Sequence, residues 1–166
     1  MDKRIFFHAE RCMLCQSCIL ACQMNSLGVS GVMEIPRDEK PLQRMVLTFF
    51  RGTPWVWRCQ QCLSAPCVES CVSGSLRHGD GEPGVVHDRE TCVGCGSCVL
   101  ACPFNAITPD ESDDRVSKCN HCPEEDIPPC VKACQSGALA CQDPRVFARN
   151  KMKRFLRDPK VHREAD

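Results

Sequence analysis

The feature that most constrains this 166-residue chain is a dense cysteine run from Cys92 to Pro103, with the spacing Cys-x2-Cys-x2-Cys-x3-Cys-Pro. Three thiolates spaced by two residues can converge on one metal cluster only if the backbone wraps closely around it. Gly94 and Gly96 give the loop that freedom, because glycine has no Cβ. The fourth cysteine, Cys102, cannot reach the same cluster and is expected to bind a second one. The run therefore predicts a partner run elsewhere in the chain.

Three further cysteine runs are present, so that sixteen of the seventeen cysteines fall into four sets of four. This repetition indicates iron-sulfur clusters of the 4Fe-4S type. Structural zinc, which usually takes two Cys-x2-Cys pairs, is the alternative, and it stays open for the run nearest the C-terminus because of its wide loop. Runs 1, 2 and 4 in chain order are Cys12-x2-Cys15-x2-Cys18-x3-Cys22, Cys59-x2-Cys62-x4-Cys67-x3-Cys71 and Cys119-x2-Cys122-x7-Cys130-x3-Cys134, and the run at Cys92 is run 3.

The composition makes metal ligation the expected source of stability. With seventeen cysteines, no tyrosine and few other aromatic residues, the chain is not expected to build a large aromatic and aliphatic core. Disulfides would need an oxidising compartment. Asp2, Lys3 and Arg4, followed by run 1 at Cys12, leave no room for a signal peptide, and no apolar stretch has the length of a membrane span. We therefore expect a soluble, cytoplasmic protein without direct membrane insertion.

The charge balance argues against a nucleic-acid partner. With neutral thiols the formal net charge is zero. Sixteen ligand thiolates would add about −16 and four oxidised 4Fe-4S cores about +8, so the cluster-loaded protein would carry about −8. A nucleic-acid-binding protein needs a basic face instead.

Short strands and short helices are predicted between the runs, which gives an α+β fold. Lys3–His8 and Arg44–Phe50 have strand composition, and Gly74–His87 is typical of a hairpin that turns at Gly79-Asp80-Gly81. Each fourth cysteine is predicted to lie on a short helical segment, and these segments are 17–24, 66–73, 97–105 and 130–136. Four irregularly spaced runs indicate duplicated two-cluster ferredoxin-like modules rather than a solenoid, whose repeat would be regular.

The composition changes after Cys141, and we divide the chain there into a four-cluster domain, residues 1–141, and a basic helical tail, residues 142–166. The stretch 145–163 has eight basic residues against one acidic residue. Ala148, Met152, Phe155 and Leu156 follow helical spacing within it. Such a helix either is simply solvated or docks on a partner, and we favour docking.

Four residues near the runs have competing interpretations. Cys141, the seventeenth cysteine, is interpreted as a buried thiol that binds no metal, with a redox or intermolecular role as the alternative. His121 is expected to pack near a cluster rather than to bind iron, because run 4 already has four cysteines. Trp55 and Trp57 are expected to shield a cluster within the core rather than to form a docking site. The sequence shows no nucleophile set, nucleotide loop or paired carboxylates that would indicate catalysis.

Taken together, the four runs resemble a family of small four-cluster iron-sulfur subunits that serve molybdenum or tungsten oxidoreductases, formate hydrogenlyase and anaerobic carbon monoxide dehydrogenase. The resemblance covers residues 3–141. Its specific marks are the order of the four sets, the loop Cys62-Leu-Ser-Ala-Pro-Cys67, the approach Gly84–Asp88 before run 3 and the segment Pro129–Cys134.

The resemblance implies how the cysteines are shared. In that family run 1 pairs with run 4 and run 2 with run 3, and each fourth cysteine crosses to the cluster of the partner run. Carried onto this chain, the four ligand sets are Cys12, Cys15, Cys18 and Cys134; Cys119, Cys122, Cys130 and Cys22; Cys59, Cys62, Cys67 and Cys102; and Cys92, Cys95, Cys98 and Cys71.

Two positions depart from the family pattern. The family usually has proline after the fourth cysteine of runs 2 and 4, where this chain has Val72 and Gln135. Because proline there shields the cluster, the resemblance implies that these two sites are more hydrated or differently tuned in potential.

The resemblance implies electron transfer rather than catalysis. The expected role is a relay through four 4Fe-4S clusters between a catalytic subunit and another redox partner. The catalytic subunit would be of the carbon monoxide dehydrogenase, formate dehydrogenase or hydrogenase, or tungsten aldehyde oxidoreductase type. The other partner would be a second redox protein or further copies of the same chain. The alternative is an iron-sulfur or zinc regulatory or interaction module.

Overall fold

The computed structural model describes residues 3–37, 44–79 and 84–157. These residues form short strands and short helices, as the sequence predicts. The strands pair antiparallel in four separate two-stranded sheets. In chain order the strands are β1 (Arg4–Phe7), β2 (Met45–Phe50), β3 (Thr53–Arg58), β4 (Leu76–His78), β5 (Val85–His87), β6 (Ile107–Pro109), β7 (Val116–Lys118) and β8 (Leu139–Gln142).

The pairing of the strands is nested along the chain. β1 pairs with β8, which places Ile5 opposite Cys141, whereas β4 pairs with β5 and β6 with β7 inside that span. β2 and β3 form a hairpin of their own. The strands predicted at 3–8 and 44–50 and the hairpin predicted over 74–87 are confirmed, although the turn residues Asp80 and Gly81 lie outside the described residues.

The helices are α1 (Ser17–Leu27), α2 (Pro66–Glu69), α3 (Ser97–Ala101), α4 (Pro129–Lys132) and α5 (Pro144–Leu156). The prediction that every fourth cysteine lies on a helix is correct only for Cys22, in α1. Cys102 follows the last residue of α3, where Pro103 disfavours helical backbone at the residue before it. Cys71 and Cys134 lie two residues beyond α2 and α4, because the chain already turns there towards the next strand.

Buried residues form two separate cores, and each core takes its cysteines from two runs. In one core α2 packs against α3, and in the other α1 packs against α4. The inner core is Ala65, Cys67, Leu76, Val85, Cys98, Ile107 and Val116. The outer core is Ile5, Cys18, Met45, Val56, Cys130 and Leu139. The inner core thus combines runs 2 and 3, and the outer core combines runs 1 and 4.

The described part of the tail is helix α5, which the sequence predicts. The Asp143 carboxylate caps its N-terminus by accepting a hydrogen bond from the backbone N–H of Arg145 at 2.7 Å. The ring of Phe147 stacks on Phe6 of β1, with centroids 3.9 Å apart and planes 9° from parallel. Arg154 forms an ion pair with Glu10. The helix is therefore fixed beside run 1 at both ends.

Among the described helices, none combines the length and apolar character needed to cross a membrane.

We predict that Gly94→Ala destabilises the cluster-loaded protein. Gly94 has φ +65°, and a Cβ there would lie 1.9 Å from the backbone oxygen of Asp114. Gly96→Ala is the matched control, because its φ is +74° but no atom lies within 4 Å of the added Cβ. The free energy of unfolding of the control should fall by about 1–2 kcal/mol, which is the cost of a Cβ on left-handed backbone. Each kcal/mol lowers the Tm by about 2–4 °C, and Gly94→Ala should lower it clearly more than the control. Anaerobic thermal unfolding followed by circular dichroism measures both, and equal losses would show that the contact with Asp114 does not matter.

Candidate metal centres

The third cysteine of each run lies on a short helix and is buried. In runs 2 and 4 a proline at the first helical position, Pro66 or Pro129, starts the helix one residue before that cysteine. In runs 1 and 3 the residue before the helix, Gln16 or Gly96, adopts left-handed backbone that turns the chain into it. These third cysteines are Cys18, Cys67, Cys98 and Cys130, and Cys59, the first cysteine of run 2, is buried as well. Each helix thus fixes one thiol inward while the first two cysteines of its run stay on the preceding loop.

Two cavities are each ringed by four cysteines. One encloses about 320 Å³, including its mouth, and its cysteine lining is Cys12, Cys15, Cys18 and Cys134. The other encloses about 280 Å³, and its cysteine lining is Cys71, Cys92, Cys95 and Cys98. In both cavities three cysteines come from one run and the fourth from another run. The similar linings suit the same bound group, and four thiols around each cavity fit a 4Fe-4S cube.

The electrostatic influence of the other eight run cysteines on one another is compatible with two sets of four, although Cys59 also acts on Cys119 of the other set. Burial, followed by the nearby thiols of Cys119, Cys22 and Cys122, raises the pKa of Cys130 to about 12. Burial, followed by Cys59 and Cys102, raises the pKa of Cys67, and the same two neighbours act on Cys62. The two cavities therefore bring eight of the thiols predicted as ligands together in fours, and the mutual influence of the other eight agrees with the two remaining sets. Within the described residues no three His, Cys, Asp or Glu side chains are arranged around a single mononuclear ion.

Three fourth cysteines accept backbone hydrogen bonds at sulfur. The N–H of Leu76 lies 3.4 Å from Cys71 Sγ, and the N–H of Leu139 lies 3.3 Å from Cys134 Sγ. Cys102 Sγ accepts in the same way from the N–H of Ala106 at 3.4 Å. Hydrogen bonds to ligand sulfur stabilise its negative charge, so the turn after each of these helices contributes directly to the electrostatics of a cluster.

The groups differ in exposure to solvent. Cys15 and Cys95, the second cysteines of runs 1 and 3, are exposed, and hydrogen bonds from Ser17 and Ser97 lower the pKa of their thiols. In contrast, burial raises the pKa of Cys119 in run 4. The groups that contain Cys15 and Cys95 therefore reach the surface, while the other two lie deeper.

Three buried polar side chains, which the sequence analysis missed, lie between run 2 and run 4. Arg58 and Lys118 immediately precede the first cysteines of runs 2 and 4, and both are buried. Gln61, the second residue after Cys59, donates from Nε2 to the carbonyl of Cys119 at 2.9 Å. The shared position of Arg58 and Lys118, directly before the first cysteine of a run, is the signal in the sequence that could have identified those two, and Gln61 had no such signal.

His121 of run 4, which the sequence analysis expects near a cluster, lies beside Arg58 and is partly buried. Its Nε2 atom is 3.2 Å from Arg58 Nη1. Burial, followed by the charges of Arg58 and Lys118, lowers the pKa of His121 to about 4. The neutral imidazole is therefore the form present near pH 7, and it can accept a hydrogen bond from the guanidinium.

The expectation that both tryptophans are core residues is wrong for Trp55, which is 49% exposed. Trp55 and Trp57 are two residues apart in β3 and touch edge to face, with centroids 6.1 Å apart. Phe49 and Phe50 are also exposed at the tip of the same hairpin. The hairpin therefore presents an aromatic surface at its tip, while Leu47 and Val56 on its other face line the cavity that contains Cys12.

Two matches to known domain families agree with this geometry. Residues 52–144 match the 4Fe-4S dicluster domain, and residues 9–25 match a 4Fe-4S binding domain. The first match spans runs 2, 3 and 4, and the second spans run 1.

Similar proteins are named for iron-sulfur chemistry and electron transfer. An uncharacterized ferredoxin of Methanocaldococcus jannaschii is 37% identical over 150 residues, covering 89% of this chain and 78% of that protein. The electron transport protein HydN of Escherichia coli is 28% identical, covering 93% of each chain. The thiosulfate reductase electron transfer subunit PhsB of Salmonella typhi is 31% identical, covering 83% of this chain and 74% of that subunit.

We predict that Cys134→Ser lowers the iron content by about a quarter, as expected for loss of one cluster of four, whereas Cys141→Ser leaves it unchanged. Cys134 lines one of the cavities, but Cys141 pairs with Ile5 in the β1–β8 sheet and lines neither. Iron and sulfide analysis of anaerobically purified protein measures the difference. Iron loss in Cys141→Ser would make the seventeenth cysteine a ligand.

Proposed function

Because the chain belongs to the 4Fe-4S dicluster domain family and carries several 4Fe-4S clusters, we propose that it is the non-catalytic electron-transfer subunit of an oxidoreductase complex. It relays electrons through four clusters between a catalytic subunit and another redox partner, in the cytoplasm. The observation that carries this proposal is the pair of cavities that are each lined by four cysteines from two runs, and the mutual influence of the other eight run thiols supports it.

The ligand sets are those in which each fourth cysteine crosses to the partner run. Cys134 completes the set of run 1, and Cys22 completes the set of run 4. Cys102 completes the set of run 2, and Cys71 completes the set of run 3. Support comes from the two cavities and from the mutual influence of the remaining thiols on their pKa values. Residues 1–141 are then a duplicated pair of two-cluster modules, one nested inside the other.

When bound, the clusters supply one-electron chemistry. The residues of this chain control their spacing, their exposure and the hydrogen bonds to sulfur, which together set the reduction potentials. The exposed Cys15 and Cys95 mark the two ends of the relay, where electrons enter and leave. The sets of runs 2 and 4 lie between them, where Gln61 joins the two runs.

One end of the relay serves a catalytic subunit. The names of the relatives indicate reductase and electron-transport systems for those proteins, and we extend only the class of partner to this chain. Candidates are the carbon monoxide dehydrogenase, formate dehydrogenase or hydrogenase, and tungsten aldehyde oxidoreductase types.

At the other end, helix α5 docks on a second copy of the chain. Phe147 and Arg154 hold α5 beside run 1, while Met152, Phe155 and Leu156 remain about 60% exposed. The cluster-loaded protein as a whole carries about −8 of net charge even with its basic tail included, so the surface outside the tail is acidic and complements a basic helix. Docking of this kind would bring the clusters of two copies into one longer path.

Iron analysis tests the relay against a regulatory or zinc-binding module. Anaerobic purification should give brown protein with about sixteen iron atoms per chain, whose clusters dithionite reduces. Colourless protein with stoichiometric zinc would overturn the proposal, and copurification from the native host would identify the catalytic subunit.

We predict that Cys102→Ser releases the cysteines of run 2 rather than those of its own run. The crossing ligand completes the partner cluster, so Cys59, Cys62 and Cys67 should become open to alkylation while Cys92, Cys95 and Cys98 stay protected. Cys71→Ser should give the reciprocal pattern. Mass spectrometry after anaerobic alkylation measures both, with Cys141→Ser as the control. Release confined to the mutated run would exclude the crossing scheme.

We predict that replacing Met152, Phe155 and Leu156 together by serine abolishes self-association and leaves all four clusters in place. Phe147 is retained, so the helix stays anchored on Phe6. Light scattering of the cluster-loaded protein measures the mass, and association of the parent should weaken at high salt because exposed charges are screened. If the mass is unchanged but the variant no longer copurifies with the catalytic subunit, α5 docks on that subunit and not on a second copy. If neither the mass nor the copurification changes, α5 is only a solvated helix.

A further inference from the structure

The junction between the two cores holds two cations that are almost fully buried. Arg58 is 5% exposed and Lys118 is 4% exposed. A buried charge is costly unless an opposite charge or several hydrogen bonds compensate it. Among the described residues no carboxylate pairs with either cation. Their compensation must come from hydrogen bonds and from a negative group nearby.

The Arg58 side chain reaches from run 2 into the outer core. Its guanidinium donates to the carbonyl of Cys59 at 3.1 Å and to the carbonyl of Ile5 in β1. It also lies 3.2 Å from His121 of run 4. Arg58 therefore ends a strand of the outer core and directly precedes run 2, whose Cys67 lies in the inner core. Its guanidinium stays charged at all working pH values.

The Lys118 side chain makes the reciprocal connection. Its ammonium donates to the carbonyl of Cys119 at 3.2 Å and to the carbonyl of Val85 in β5, which is part of the inner core. Gln61 supports the same contact, because its Oε1 accepts from the Val85 N–H at 2.6 Å while its Nε2 donates to Cys119. Each cation thus ends a strand of one core and directly precedes a run whose third cysteine lies in the other core.

The two cations donate hydrogen bonds to the carbonyls of Cys59 and Cys119, which are proposed ligands of two different clusters. Arg58 is within electrostatic range of Cys119, Cys130 and Cys59 together. A cube with four thiolate ligands carries about −2 when oxidised and gains one more negative charge on reduction. The two deeper clusters would therefore face each other across the junction with like charge, and the two cations are the positive charge between them.

We propose that Arg58 and Lys118 form a shared positive charge between the two interior clusters, which raises the reduction potential of both and so allows electrons to cross from one core to the other. This inference rests on the proposed function. A fixed positive charge favours the more negative, reduced state, and its effect is strongest where water is excluded. The end clusters, at Cys15 and Cys95, would feel these charges least.

Redox titration of the cluster-loaded protein, followed by electron paramagnetic resonance, tests the proposal. Arg58→Met removes one charge and keeps a long side chain, Arg58→Lys keeps the charge, and Arg149→Met on the exposed face of α5 is the surface control. We expect two of the four midpoint potentials to fall in Arg58→Met and two to stay at the parent values. Arg58→Lys should stay close to the parent for all four, and Arg149→Met should match it.

Lys118→Met repeats the test from the other side of the junction. It should lower the same two potentials, and the double variant should lower them further. Unchanged potentials in iron-replete neutral variants, or an equal fall in Arg58→Lys, would overturn the proposal. Loss of iron from both single neutral variants would overturn it too, because the cations would then be needed to assemble the clusters. None of these results bears on the iron content of the parent, which tests the proposed function separately.

Discussion

The fold depends on sulfur atoms that occupy the places where large apolar side chains would otherwise lie. Cys18 and Cys130 are buried in the outer core, and Cys67 and Cys98 are buried in the inner core. As free thiols, Cys98 and Cys130 have pKa values raised to about 11 and about 12, so deprotonation there needs a metal. Cluster binding and core formation are therefore one process.

Much of this arrangement could be predicted because the information is local. A Cys-x2-Cys-x2-Cys spacing determines which thiols share a loop, and it indicates the class of cofactor. The residues around Val85 and Met45 have strand composition, so these strands could be predicted from short stretches of sequence. Which runs lie together is a long-range property. Only the resemblance to a family suggested it, and the two cores of the structure have the same combination of runs.

The rest could not be predicted because it depends on contacts between distant segments. The spacing that suggested an apolar stripe on the tail selected its exposed face and missed Phe147, which anchors the helix on Phe6. Trp55 is apolar and was assigned to the core, yet its strand is part of an isolated two-stranded sheet with one face left open. Arg58 and Lys118 look like ordinary surface cations until their buried partners are known.

The nested strand pairing has a consequence for the order in which the molecule can be made. All residues of the inner core lie between positions 65 and 116, whereas β1 has to wait for β8, which ends at Gln142. A ribosome releases the N-terminal segment first, so Ile5 and run 1 leave the exit tunnel without their partners. The inner unit can close around its metal during translation. The outer unit closes last, and until then its thiols are open to the iron-delivery machinery and to oxidants alike.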